Sequence, residues 1–410
     1  MHDSRFPTEG HEILFCWRPP GGSEYGLCMN IVKRVILART RNPSKCFDSM
    51  PHALLITKLY AYGLSINACQ LIADYLTNRK QRTKLGINKS LWADIMKGFP
   101  QGSGLGPFLF NVFINDLFFF IRTCTLCNYA DDNTITTCDA DQKVVESSIK
   151  IDAENAINWF NSNMMQANPN KFQVMFLCPL RTADPFTDTF TFSNIEIQRQ
   201  HSAKLLGVII DDKLNFNEHI RTICIKAARQ LNALCRIKSY ISVDQRQLLY
   251  QSFILSNFNF CPIVWHFCST KNTQKIEKIQ KRALRFVFDD NESSYETLLS
   301  LSGIKTLFLR RIQLFAIEVY KSINDYNPVF MTSMFSMKRI QYDFRDNFKL
   351  IIPHFNNVTH GQRSFRYYGA HVWNGVPAEI KAAANIGAFK RLIKLWNGPS
   401  CQCNMCNVLR

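Results

Sequence analysis

Cys127-Asn128-Tyr129-Ala130-Asp131-Asp132-Asn133-Thr134 sets two adjacent carboxylates directly after an aromatic and a small residue. A tight hairpin between short strands, Thr125–Tyr129 and Asn133–Thr137, would point both acids into one cleft. Hard divalent cations such as Mg²⁺ take oxygen ligands in such a cleft and clamp phosphate oxygens during in-line displacement. An Asp-Asp pair on its own reads as a solvated turn, because Asp bonds its own backbone there. The neighbouring sequence decides between the two.

Upstream, Gly98-Phe99-Pro100-Gln101-Gly102-Ser103-Gly104-Leu105-Gly106-Pro107 packs four glycines and two prolines into ten residues. Glycine permits positive φ and close approach of another chain, and Pro107 suits the first turn of a helix. Phe108, Leu109, Val112, Phe113 and Leu117 then recur at helical spacing. A glycine-rich loop thus feeds a buried helix, which leads to the strand carrying the acids.

At this point the chain resembles the reverse transcriptases of LINE-type, non-LTR retrotransposons, especially jockey-like elements. The resemblance extends to Ser44-Lys45-Cys46-Phe47-Asp48 followed by His52, Leu54, Leu55, Lys58, Leu59 and Tyr62-Gly63-Leu64, and to Tyr75 through Lys84. It continues in Asn168, Pro169, Lys171 and Met175, then in Lys204-Leu205-Leu206-Gly207-Val208 with Asp211, Leu214, His219 and Ile220. It implies an α+β fold: a right-hand polymerase palm with partial fingers over residues 42–210, then a helical thumb and connection over 211–330. Residues 331–410 form a C-terminal region with a Cys-rich tail. Residues 1–41 stay unassigned, although Ile31–Leu37 has the apolar pattern of a strand entering the site. The chain reads as N-terminally truncated, without the endonuclease domain that such elements carry upstream.

The resemblance also implies roles. Asp131 and Asp132 would hold two Mg²⁺ ions. Phe47, Pro100, Gln101, Gly102, Tyr129 and Lys171 would line the nucleotide and template, with Phe47 excluding a 2′-hydroxyl. Leu206 and Gly207 would belong to the primer-grip strand. The partners would be an RNA template, a DNA primer and deoxynucleotide triphosphates.

One position departs from the pattern. The family places a catalytic Asp six residues before the acid of its Lys-Ala-Phe-Asp sequence, and counting back from Asp48 gives Asn42. An amide is neutral and offers one carbonyl oxygen, so it cannot bridge two cations as a carboxylate does. A loss of several kcal/mol at about 1.4 kcal/mol per decade lowers the rate by roughly three decades. The expectation is a family RNA-directed DNA polymerase that is weak or inactive, with a non-enzymatic RNA- or DNA-binding protein of polymerase fold as the alternative.

Composition agrees with nucleic-acid partners: 49 Lys and Arg face 32 Asp and Glu, a net charge of +17, which attracts phosphate backbones in a salt-dependent way. Arg79, Lys80, Arg82 and Lys84 form one cluster. Lys275, Lys278, Lys281, Arg282 and Arg285 form another, opposite an apolar stripe of Ile276, Ile279, Ala283 and Phe286 on one helix. Phe365, Tyr367, Tyr368 and Trp373 read as packing residues. The fifteen cysteines are scattered singly, as in a reducing compartment. Cys401, Cys403 and Cys406 could bind zinc but lack a fourth ligand. The apolar start of a signal peptide is missing, and Phe108–Ile121 is too short and too polar to span a membrane. An intracellular, soluble protein is expected, with nucleus and cytoplasm both open and its oligomeric state unread.

Overall fold

The computed structural model describes residues 35–41, 46–100, 102–139, 141–165, 172–177, 188–192, 195–338, 348–355 and 361–399. The chain divides into two compact units, Met1–Ala203 and Lys204–Arg410.

The first unit mixes helices with a four-stranded antiparallel sheet. Its central strand, Val35–Arg41, lies between Asp132–Cys138 and Gln173–Leu177, and Thr125–Tyr129 flanks Asp132–Cys138 on the other side. Of the strand expected at Ile31–Leu37, the described part, Val35–Leu37, lies in the strand Val35–Arg41, where Val35 stands opposite both Cys138 and Leu177; residues 31–34 lie outside the described residues. Val174, Met175 and Phe176 are buried in succession, as in a strand covered on both faces.

Helices cover this sheet through apolar faces. Gln142–Ser162, capped by the Asp141 side chain on Lys143 N–H at 2.9 Å, packs against the two central strands. Its buried stripe runs Val145, Ile149, Ala153, Ala156, Ile157 and Phe160. The glycine-rich loop leads into Leu105–Ile114, which begins two residues before Pro107 and buries Leu109, Phe110 and Phe113. Phe113 meets Trp159 edge-on with centroids 6.2 Å apart. Each such fully buried apolar side chain contributes about 1.5–3 kcal/mol.

The second unit is helical after a short hairpin, Ser202–Leu205 with Val208–Asp211. Asn217–Cys235 and Thr270–Phe288 pack together, and Ile220, Leu231, Ile254, Trp265, Leu284 and Val287 fill the core around them. Leu307–Ile323, Phe365–Gly375 and Ile386–Leu395 build a second core. There Tyr320 stacks on Phe389 at 4.3 Å and Trp373 stacks on the same ring at 5.9 Å. Tyr368 and Trp373 therefore pack, as their sequence context indicates. Among the described residues no helix is long and apolar enough to cross a membrane.

Candidate active site

Tyr129 and Asp132 pair across the hairpin, leaving Ala130 and Asp131 as its two-residue turn. Ala130 takes a left-handed φ of +51°, a conformation that costs an L-residue roughly 1–2 kcal/mol. The turn is supported from beneath by two asparagines. Asn128 and Asn133 are register partners, and Nδ2 of Asn128 donates to Oδ1 of Asn133. Asn133, only 4% exposed, donates in turn to the carbonyl of Asp131 at 3.4 Å. Both acids are half-buried and the Tyr129 ring is exposed.

The central strand runs into this turn. Arg41, its last residue, is the register partner of Asp132, and the next residue in sequence is Asn42. Asn42 itself lies outside the described residues, as do Gln101, Lys171 and the tail cysteines Cys401, Cys403 and Cys406. Only the backbone of Phe47 is described, in the short helix Cys46–Ser49.

A second group of contacts, not anticipated from sequence, fixes the surroundings. Asp152 is fully buried, and its carboxylate accepts from the backbone N–H groups of Arg122, Thr123 and Cys124 at 3.1, 2.8 and 2.7 Å. The Thr123 hydroxyl adds a bond of 2.8 Å. Burial pushes the Asp152 carboxyl up, but these hydrogen bonds outweigh it and hold the group below the usual carboxylate range. The residues so held lead directly into Thr125–Tyr129, the first strand of the acid hairpin. An acid on the apolar stripe of Gln142–Ser162 was the available signal.

The glycine-rich loop is hung on the segment after Asp48. Gly98 N–H donates to Met50 at 2.8 Å, and His52 Nε2 bonds the Gly98 carbonyl at 2.7 Å. Phe99 inserts into the core, Pro100 is half-buried, and Gly102 sits exposed at φ +84°. Ser103 bonds the Tyr75 hydroxyl at 2.5 Å. Lys58 reaches under the helix that follows, pairing with Asp116 at 2.8 Å and donating to the Phe113 carbonyl at 2.9 Å. Burial pulls the Lys58 ammonium down, and Asp116 opposes that shift.

Leu206 and Gly207 do not lie within a strand as expected. They form the turn of the Ser202–Asp211 hairpin, both at positive φ, +45° and +95°. The second basic cluster is only partly on the solvent face: on Thr270–Phe288, Lys278 and Arg282 are exposed, but Lys281 and Arg285 are half-buried. Arg282 donates to Asn232 on the neighbouring helix, and the helix Tyr295–Ser302 also packs against Thr270–Phe288. Arg79, Lys80, Arg82 and Lys84 lie along a hairpin between the helix Ile66–Leu76 and the glycine-rich loop.

Asp131 and Asp132 offer hard oxygen ligands in a half-open position. Among the described residues no group of three or more His, Cys, Asp or Glu side chains could hold a metal ion. The donors fit a divalent cation in kind and fall short of it in number.

Residues 42–210 match the family described as reverse transcriptase (RNA-dependent DNA polymerase), so the chain carries a reverse transcriptase domain. Over 265 residues it is 24% identical to the probable RNA-directed DNA polymerase from transposon BS of Drosophila melanogaster, covering 60% of this chain and 28% of that one. Over 257 residues it is 24% identical to the RNA-directed DNA polymerase from mobile element jockey of Drosophila funebris, covering 59% and 27%. The chain spans about a quarter of the length of these relatives. These matches are consistent with a LINE-type reverse transcriptase, as the motif order implies. A telomerase structure from Candida albicans aligns with 69% of this chain and 49% of its own, at 12% identity and a TM-score of 0.30, too low a likeness to carry an argument.

Proposed function

We propose that the chain is the polymerase portion of a non-LTR retrotransposon protein whose ancestral activity is RNA-directed DNA synthesis by two-metal nucleotidyl transfer. The activity of this copy is impaired at Asn42. The observation that carries the reading is the register of Arg41 with Asp132, which ends the central strand level with the acidic turn, one residue in sequence before Asn42.

In this reading residues 42–210 act as the palm with partial fingers and residues 211–330 as the helical thumb and connection. Asp131 and Asp132 would hold Mg²⁺, which would supply charge neutralisation at the phosphate oxygens. Phe47 would exclude a 2′-hydroxyl, as the family resemblance implies. Gln101 and Gly102, with Pro100 and Tyr129, would line the nucleotide and template, and Lys171 would be the proton donor to the leaving pyrophosphate. Leu206 and Gly207 position the primer. Exposed cations of the first unit's hairpin and of Thr270–Phe288 bind phosphates.

Asn42 supports the impairment: it leaves one charge fewer for the cations than the pattern requires. A non-enzymatic nucleic-acid binder is the second reading, favoured by the net charge of +17. Primer extension on an RNA template with Mg²⁺ and deoxynucleotides separates the two. Extension that disappears in Asp131→Asn/Asp132→Asn establishes the enzyme. Binding that ignores this double change, with no extension by either protein or by Asn42→Asp, establishes the binder.

A further inference from the structure

The hairpin running from Arg79 to Ile95 carries more than charge. Its ladder pairs Lys80 with Asp94, Gln81 with Ala93, Lys84 with Lys89 and Leu85 with Asn88. Ser90 N–H donates to Thr83 at 2.9 Å and Ile95 N–H to Arg79 at 2.8 Å. Every residue from Lys80 to Asp94 is exposed, so neither face is packed on the protein. A two-stranded hairpin without a packed face is marginal in water.

Its residues are poorly chosen for folding alone. Lys84 and Lys89 stand directly opposite each other, a like-charge pairing that destabilises a ladder. Residues 79–97 hold six cations (Arg79, Lys80, Arg82, Lys84, Lys89, Lys97) against one acid, Asp94, and that acid already pairs with Lys80 at 3.7 Å. Between the Gln81 and Thr83 levels one strand contributes Arg82 and the other both Leu91 and Trp92, a bulge that re-aims a side chain. The Arg82 guanidinium lies 4.4 Å from the centre of the Trp92 ring, and Trp92 is 58% exposed.

We infer that this hairpin is a single-strand nucleic-acid clamp, in which a base stacks on the open side of Trp92 while Arg82, Lys84 and Lys89 take the flanking phosphates. The inference rests on the nucleic-acid reading above and deepens it. A stacking platform with adjacent cations is what unpaired strands use, and a duplex keeps its base faces covered. An apolar protein partner would bury the opposed lysines without compensation, whereas a phosphate chain neutralises them.

The test is fluorescence anisotropy of the full chain with a labelled single-stranded RNA and with the same RNA annealed to its complement. Trp92→Ala weakens the single strand about 5- to 100-fold and leaves the duplex unchanged, and Trp92→Phe retains most of the affinity. Lys84→Ala/Lys89→Ala lowers the slope of log affinity against log salt by about 1.4, two contacts at roughly 0.7 each. Equal loss on both RNA forms, or no loss in either variant, overturns the clamp while leaving the polymerase reading intact. Unchanged affinity with altered sedimentation in Trp92→Ala marks a protein-docking surface and also overturns it. An unmodified chain that binds neither form overturns both.

Discussion

Arg41 and Asp132 are register partners at the end of the central strand, so the described strand ends level with the second acid of the acidic turn. Two asparagines hold that turn from below, Asn128 and Asn133. Asn133→Ala removes the bond to the Asp131 carbonyl and leaves Asn128 without its acceptor. The expected cost is about 1–3 kcal/mol of stability, read by urea denaturation, and Asn133→Asp should recover only part of it, because the carboxylate still accepts from Asn128 but cannot donate to the Asp131 carbonyl.

Asp152 supplies a pH signature. Its carboxyl is held below the usual range, so it contributes stability that is fully present above the unfolded value near 3.9 and is lost as pH falls through the lower folded value. Asp152→Asn turns one acceptor into a donor facing N–H groups and should cost about 2–4 kcal/mol at pH 7. Melting curves between neutral and strongly acid pH should show that penalty shrinking as the wild-type carboxylate protonates. A constant penalty would refute the linkage.

The Lys58–Asp116 pair should behave as a buried couple. Lys58→Met leaves Asp116 facing an apolar wall and is expected to cost about 2–3 kcal/mol, discounted because Asp116 is partly exposed. Lys58→Met/Asp116→Leu should cost less than Lys58→Met alone. Denaturant midpoints of the two variants decide it.

Gly207 combines a φ of +95° with a Cβ position 2.9 Å from a ring carbon of Phe260. Gly207→Ala should therefore destabilise by about 1–3 kcal/mol. In a Phe260→Ala background the penalty should fall only part of the way, since the backbone strain stays. Full recovery in thermal melts would assign the whole effect to the ring.

The acid hairpin was legible because both of its strands are local and its turn residues are distinctive. The extension of the central strand beyond Leu37 to Arg41 depends on its pairing with Asp132–Cys138 and Gln173–Leu177, partners more than ninety residues away in sequence, which no local apolar pattern encodes. Lys281 and Arg285 read as solvent-facing from spacing alone, but neighbours flank the helix on two sides and half-bury them. The cations of residues 79–84 were visible as a cluster. Their hairpin was not, since its strands are two residues long and interrupted by a bulge.

The most direct measurement compares primer extension by the unmodified chain with that by Asn42→Asp, on an RNA template with Mg²⁺ and deoxynucleotides. The account predicts little or no extension by the unmodified chain and a gain of roughly three decades on restoring the carboxylate, abolished again by adding Asp131→Asn/Asp132→Asn. Vigorous extension by the unmodified chain, unchanged by Asn42→Asp, would contradict it.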